Sequence, residues 1–401
     1  MSSSSSSSSS SDFSVDDLVR PNIRALTPYR CARDDYNTGV LLDANENAYG
    51  PVYLRANQSA RAPSKEQGYH RYPDPLNNDV KALYTAWRGL PGPEWAFFGV
   101  GSDEAIDLVM RVFGVPGKHK VLICPPTYGM YSVAAAVNDL GVVKVPLDVE
   151  NARFQLRVDA ILEATRADPD IRIMFLCSPG NPTGTCLAKS DIRRLLESDY
   201  RGIVVVDEAY VDFVDDDEEK GSVIRWTERY PNLIVMQTLS KSFGLAAIRL
   251  GIAAASPRII HWMNVTKAPY NIPAPTAALA YAALSSTGLE SVQSVVRQLR
   301  AERKRLTDGL LALPGVLSVF GNADANFLLC QIGDAQGQGQ PDSARAERIY
   351  RWMADSGVVV RYRGNEYGCA GCLRISVGTP EESDAVLAQL SKALADEKLA
   401  R

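Results

Sequence analysis

The sequence predicts an α/β protein, in which a parallel sheet covered by helices on both sides is followed by a smaller α+β unit. Three observations predict it. Short runs apolar on both faces recur from Trp95 to Ala255. Helix-length amphipathic segments separate them, which is how a sheet buried on both faces reads. Beyond a long helical stretch the pattern changes to a handful of strands and helices that describe a second, smaller layer structure.

In chain order, Ser2 to Ser11 is low-complexity sequence that cannot bury surface, so residues 1–20 are expected to be a disordered segment outside the fold. Residues 21–60 are expected to be an N-terminal arm and part of the small domain, 61–290 the large domain and 291–401 the small C-terminal domain. The sheet strands are "WAFFGV", "KVLIC", "VVKVPL", "IRIMFLC", "GIVVVDEAY", "LIVMQT" and "LGIAAA". Segments such as "SDEAIDLVMRVF" and "KSDIRRLLES" supply covering helices. Leu289 to Leu313 reads as one long amphipathic helix ending at Pro314-Gly315. After it come "VLSVF", "NFLLCQI", a helix from Ala344 to Ser356, "GVVVRY", "CLRISVG" and a last helix opened by "TPEES". The stretch "GDAQGQGQPDS" is the loosest loop of this unit.

Composition excludes several function classes. The chain has 401 residues, 46% apolar and 22% charged, with a formal charge of −4, so no broad basic field attracts nucleic acid or an anionic membrane. An anionic ligand must be met locally. Seven scattered cysteines argue against a disulfide framework and for a reducing compartment. Only Cys369-x-x-Cys372 has metal or redox spacing, and no second pair or nearby histidine completes a metal site. No metal is expected. No apolar stretch has the length of a membrane span, and a soluble, cytoplasmic protein is expected.

In open parallel sheets ligands bind where strands end and helices begin. At these junctions "GVGSDEAIDLV" places Ser102 and Asp103 at a helix start after Gly101, where N–H groups can face a phosphate; an ordinary N-cap would use the same residues. Tyr128 in "PPTYGMY" follows a strand and two prolines, where its ring can cover a flat heterocycle or pack in the core. Asn181 in "SPGNPTGT" can aim its amide at a ligand oxygen or close the turn. Asp207 ends a run of β-branched residues; a carboxylate in such a place is costly unless paired, so it is expected to face a cation, with Tyr210 close by. Lys241, in "LSKSFGLAA", lies among small residues rather than on a solvated face, and a desolvated lysine becomes an amine nucleophile for carbonyls. Ser240 and Arg249 add a hydroxyl and a cation for a phosphate.

Singly these signals are weak. In order, they form the set that pyridoxal 5′-phosphate requires, and the ordering resembles the fold-type I aminotransferases over nearly the whole chain after the serine tract. The stretches "LTPYRCARD", "LDANENAYGP", "YHRYPDPLNNDV", "GSDEAIDLVMRVF", "PPTYGMYSV", "SPGNPTG", "VVVDEAY", "LSKSFGLAAIRLG" and "CLRISVGTPEES" are similar to the histidinol-phosphate aminotransferase family. The departures are small: Gly180 stands where a second Asn is common, and the serine tract has no counterpart.

The resemblance implies fold type I of the pyridoxal-phosphate-dependent transferases, with a mainly parallel seven-stranded sheet and a small α+β domain. It implies that Lys241 holds the cofactor aldehyde as a Schiff base and moves the substrate proton, and that Asp207 keeps the pyridine nitrogen protonated. Asn181 and Tyr210 would hydrogen-bond the phenolic oxygen, and Tyr128 would stack on the ring. Ser102, Asp103, Ser240 and Arg249 would hold the phosphate. Tyr72 in "YHRYPDP" corresponds to a residue lent by the neighbouring subunit, so a homodimer is implied. Arg374 resembles the substrate-anion arginine of the superfamily and Arg361 the additional one of this family, with Tyr29 closing over a substrate that Asn181 also contacts. The implied reaction is transamination between L-histidinol phosphate and 2-oxoglutarate. An aromatic amino-acid aminotransferase and a phosphothreonine-type decarboxylase are the enzymatic rivals. A non-catalytic cofactor-sensing regulator would need an attached DNA-binding unit, for which the segment ahead of Leu18 is too short.

Overall fold

The computed structural model describes residues 15, 18–28, 30–52, 70–215 and 220–400. Its strands are β1 (Val40–Leu41), β2 (Ala96–Val100), β3 (Lys120–Ile123), β4 (Gly141–Lys144), β5 (Ile171–Cys177), β6 (Ile203–Asp207), β7 (Leu233–Thr238), β8 (Leu250–Ala255), β9 (Val316–Phe320), β10 (Phe327–Ile332), β11 (Val358–Val359), β12 (Arg361–Tyr362) and β13 (Cys372–Ser376). The seven runs expected from the sequence are β2 to β8, and they form one sheet in the order β2-β8-β7-β6-β5-β3-β4.

Alternation along these strands shows why their sequences are apolar throughout. Leu122, Met174, Val204, Val206 and Val235 join a core on one face. Val121, Ile123, Ile173, Phe175, Val205, Ile234 and Met236 join a second core on the other, against Ile106, Val109 and Met110 of the helix Gly101–Phe113 and Ile260 and Met263 of the helix Pro257–Thr266. With both faces dry, the strands are mostly apolar, and a buried polar residue such as Gln237 is admitted with partners, accepting from the Tyr84 hydroxyl and donating to Glu208.

The sheet is not wholly parallel: β8 runs antiparallel to both β2 and β7. Parallel neighbours need a crossover of roughly a dozen residues or more, usually a helix. The link from Leu239 to Arg249 holds only a three-residue 3₁₀ turn, Ala246–Ile248, so the chain doubles straight back. The functional consequence is that the end of β7 and the start of β8 meet at one edge of the sheet. That edge is the carboxyl end of β2, β3, β5, β6 and β7.

The small unit has a four-stranded antiparallel sheet, β12-β13-β10-β9, and a two-stranded parallel pair in which β1 joins β11. Leu328, Cys330, Leu373 and Ile375 pack on Leu306 and Leu310 of the long helix and on Ile349, Val386 and Leu390. Phe327 and Leu329 face the other way, into the core of the large sheet. The expected long helix spans Ser286–Leu311, with the Ser285 hydroxyl accepting from Gly288 N–H. The last helix, Pro380–Ala395, opens with a capping box between Thr379 and Glu382, as "TPEES" suggested. The loop expected to be loosest is tied by Asp334, whose carboxylate accepts from the N–H groups of Gln338 and Gln340 at 2.9 and 2.8 Å. Among the described residues no helix is long and apolar enough to cross a membrane.

Candidate active site

A cavity of about 220 Å³ lies at the carboxyl edge of the large sheet, closed from the opposite side by the small unit. Ser102, Asp103, Tyr128, Asn181, Asp207, Tyr210, Ser240, Lys241, Arg249, Arg361 and Arg374 all line it. Residues that the sequence separates by up to 272 positions therefore converge, because strand ends from the large sheet and the β12–β13 ribbon face one crevice.

One end of the cavity is built for an anion. The helix Gly101–Phe113 begins there, and the N–H groups of its first turn have no intrahelical acceptor. Gly101 has φ +68°, and a Cβ on it would overlap the Arg249 guanidinium. A Cβ on Gly251 would overlap the backbone of Gly101 and the amide nitrogen of Ser102. The buried Ser102 hydroxyl has no hydrogen-bond partner among the described residues, and a buried orphan hydroxyl is costly unless a ligand satisfies it. Arg249 is itself held in the left-handed region, φ +53°, and its guanidinium pairs with Asp103 at 3.2 Å. Asp103 thus meets Arg249 and the Tyr128 hydroxyl, which donates to it at 3.2 Å. Ser240 accepts from Thr238 Oγ1 at 2.9 Å.

At the floor of the cavity Asp207 ends β6. Among the described residues no side-chain cation pairs with it: its carboxylate accepts from the Tyr131 hydroxyl at 2.6 Å and from Ala209 N–H at 3.2 Å. Burial raises its pKa from 3.8 to about 6, against the lowering effect of these two bonds. A buried carboxylate held by two neutral donors is poised to accept a proton-bearing ring nitrogen.

Lys241 Nζ donates to the Ala44 carbonyl at 2.9 Å. Burial first, then the positive charge of Arg374, lowers its pKa from 10.5 to about 8. Tyr210 accepts from Asn45 Nδ2 at 3.0 Å, which leaves its own proton free to donate; burial pushes its pKa up to about 12, so it stays a donor. Asn181 Oδ1 accepts from Arg374 Nη1 at 2.7 Å, so its NH₂ is left to point at a ligand.

At the far end, buried Arg374 also donates to the Asp43 carbonyl. Its pKa is depressed to about 9, by burial first and then by repulsion from Arg363 and Arg361. Arg361 lines the cavity, and its Nη2 reaches the Arg30 carbonyl at 3.4 Å. Tyr72 does not reach the cavity of its own chain: it is 82% exposed and stacked on Tyr270 at 4.6 Å between ring centroids. Tyr29 lies outside the described residues. Among the described residues no cluster of His, Cys, Asp or Glu is arranged to hold a metal ion.

Three contributors were missed in the sequence. Tyr131 and Asn45 gave no local signal, since one sits in a helix and the other acts on a residue 165 positions away. Arg363 did give one, because it follows Arg361 by two residues, just past the end of β12.

A phosphate cup, an amine of lowered basicity and a carboxylate awaiting a cation fit pyridoxal 5′-phosphate. The comparisons with known proteins agree. The family model of class I and II aminotransferases matches residues 37–390. The histidinol-phosphate aminotransferase of Candida maltosa is 43% identical over 397 residues, covering 96% of this chain and 99% of that protein.

The chain belongs to the histidinol-phosphate aminotransferase family of class I and II aminotransferases.

The Saccharomyces cerevisiae histidinol-phosphate aminotransferase is likewise 43% identical, with 95% and 98% of the two chains covered. Among solved structures, the Sinorhizobium meliloti histidinol-phosphate aminotransferase, determined in complex with pyridoxal 5′-phosphate, superposes with a TM-score of 0.81 at 22% identity, covering 96% of this chain and 98% of that one. At that identity the likeness establishes the fold. This aminotransferase therefore has the fold-type I architecture, a large mainly parallel sheet with a smaller antiparallel one, and acts on an amine and a 2-oxo acid.

Proposed function

We propose that this aminotransferase uses pyridoxal 5′-phosphate to exchange the amino group of L-histidinol phosphate with 2-oxoglutarate, giving imidazole-acetol phosphate and L-glutamate for histidine biosynthesis. The observation that carries the reading is the convergence in one cavity of the Lys241 amine, the Asp207 carboxylate and the guanidiniums of Arg361 and Arg374. The names of the near-full-length relatives support the same substrate.

When bound, pyridoxal 5′-phosphate supplies an aldehyde carbon for amine exchange and a cationic ring that takes up the electron pair left at the substrate Cα. Asp207 holds the proton on the ring nitrogen. Ser102, Ser240, Arg249 and the N–H groups at Ser102 and Asp103 hold the phosphate. Tyr128 covers the ring, and Tyr210 and Asn181 donate to its phenolic oxygen. With a pKa of about 8, Lys241 has a usable neutral fraction near neutral pH, so its Nζ takes the proton from the substrate Cα and returns it during exchange. Arg374 and Arg361 bind the substrate's anionic end.

In this reading residues 61–290 carry the cofactor, while residues 21–60 and 291–401 bring the substrate-anion groups. The working unit is a cytoplasmic homodimer, with each exposed Tyr72 entering the site of the other copy. Incubation of the purified enzyme with histidinol phosphate and 2-oxoglutarate should yield glutamate and imidazole-acetol phosphate by mass spectrometry. Turnover of phenylalanine or tyrosine with none of histidinol phosphate would overturn the substrate assignment.

A further inference from the structure

We infer that Arg363 is a specificity-determining residue that reads the second negative charge of the substrate's phosphate; the inference rests on the transamination reading above. Arg361 and Arg374 are direct partners across the antiparallel β12–β13 pair, so their side chains leave the same face of the sheet. Arg363 lies two residues beyond Arg361, its N–H donating to the Cys372 carbonyl at 2.9 Å, and shares that face. All three guanidiniums line the cavity.

Arg374 is tied to the protein through one N–H of Nη1 to Asn181 and one of Nη2 to the Asp43 carbonyl, and its buried Nε has no partner among the described residues. A phosphate monoester has three terminal oxygens and up to two negative charges, so a third guanidinium on the same face adds a cation that a carboxylate does not require. Arg363 is placed to be that cation: Nη1 is fixed by Glu366 at 2.8 Å, while its buried Nε has no partner among the described residues.

The charge balance points the same way. Glu366 offsets Arg363, and Asp43 is taken by Arg33 at 3.0 Å, so the cavity end keeps a net positive charge. Two like charges beside Arg374 are unfavourable until an anion enters, and a dianion relieves more of that repulsion than a monoanion. The Glu366 contact orients the fork of Arg363 toward the ligand while moderating its charge.

The test compares L-histidinol phosphate with L-histidinol, which lacks only the phosphate, in the holoenzyme. For Arg363→Gln we expect kcat/KM for histidinol phosphate to fall about 10- to 100-fold, mainly through KM, with histidinol changed less than about threefold. Arg363→Lys, which keeps the charge but not the fork, should lose less than Arg363→Gln on histidinol phosphate. Glu366→Gln should keep or tighten KM for the phosphate ester. If Arg363 merely braced its loop against Glu366, Arg363→Gln and Glu366→Gln would weaken both substrates alike, and that result would overturn the inference. Wild-type enzyme that turns over neither compound would instead overturn the functional reading, and the inference with it.

Discussion

Asp207→Asn in the cofactor-free enzyme should make the fold more stable, not less, at alkaline pH. Burial raises the Asp207 pKa from 3.8 to about 6. A carboxyl whose folded-state pKa lies above its unfolded value binds more protons folded than unfolded between the two. Stability therefore falls as pH rises through that window, from about 4 to about 6, and stays lower above it. The rise is roughly two pH units, which at about 1.4 kcal/mol each puts the penalty on the order of 3 kcal/mol at pH 8. Asn keeps the shape and carries no charge: its Oδ1 accepts from Ala209 N–H and its NH₂ turns to the Tyr131 hydroxyl oxygen, which becomes the acceptor. For a chain of this length the gain is roughly 3–6 °C in melting temperature. Glu208, also raised to about 6 by burial, titrates identically in both proteins and drops out of the difference. The assay is thermal unfolding of both apoproteins from pH 4 to pH 8.5: the wild-type curve should fall relative to the variant between about pH 4 and about pH 6 and stay below it at higher pH. Readdition of pyridoxal 5′-phosphate should reverse the order, since the ring cation compensates Asp207 and not Asn. Parallel pH curves, or a variant less stable at every pH, would show that Asp207 is not an uncompensated buried charge.

Other outcomes follow from the same geometry. Lys241→Ala should abolish the borohydride-trapped adduct with the cofactor, and the rate at which wild-type apoprotein recombines with pyridoxal 5′-phosphate should rise with pH through about 8, where the amine becomes neutral; an adduct on another lysine would remove the assignment. Ser102→Ala deletes a hydroxyl that has no partner among the described residues, so apoprotein melting should change little, whereas cofactor dissociation should accelerate about 10- to 100-fold. Equal dissociation rates would take Ser102 out of the phosphate site. Tyr72→Ala and Lys241→Ala, each weakly active alone, should regain activity on mixing, because a hybrid dimer has one site with both residues intact. No recovery after subunit exchange would argue against a shared site.

How much of this was legible in the sequence differs by residue. β6 and β7 were plain because burial on both faces leaves an unbroken apolar run, and Asp207 and Lys241 stood out as polar residues ending such runs. The direction of β8 was not plain, since "LGIAAA" is apolar whichever way it runs; the short link from Leu239 to Arg249 decides it. Tyr131 reads as a core aromatic, and its stack on Phe175 at 4.7 Å confirms that it packs there, yet its hydroxyl is what holds Asp207. Asn45 acts on Tyr210 only because β1 pairs with β11 and draws the arm across the sheet edge. Arg363 could have been read from its position two residues after Arg361, since residues two apart in extended chain share a face.

These contacts also explain why the site is polar in sign as well as in shape. Asp207 is held toward its neutral form at the floor of the cavity, Arg374 is pressed from its charged form at the far end, and Lys241 has lost basicity. Each group sits where burial opposes its charge, a cost that a fold selected for stability alone would remove with apolar residues. The three penalties share one remedy. A ligand pair with a cationic ring over Asp207, an electrophilic carbon at Lys241 and an anion against the arginines compensates all of them at once. The same burial that weakens the empty protein therefore favours that combination over molecules lacking one of its charges.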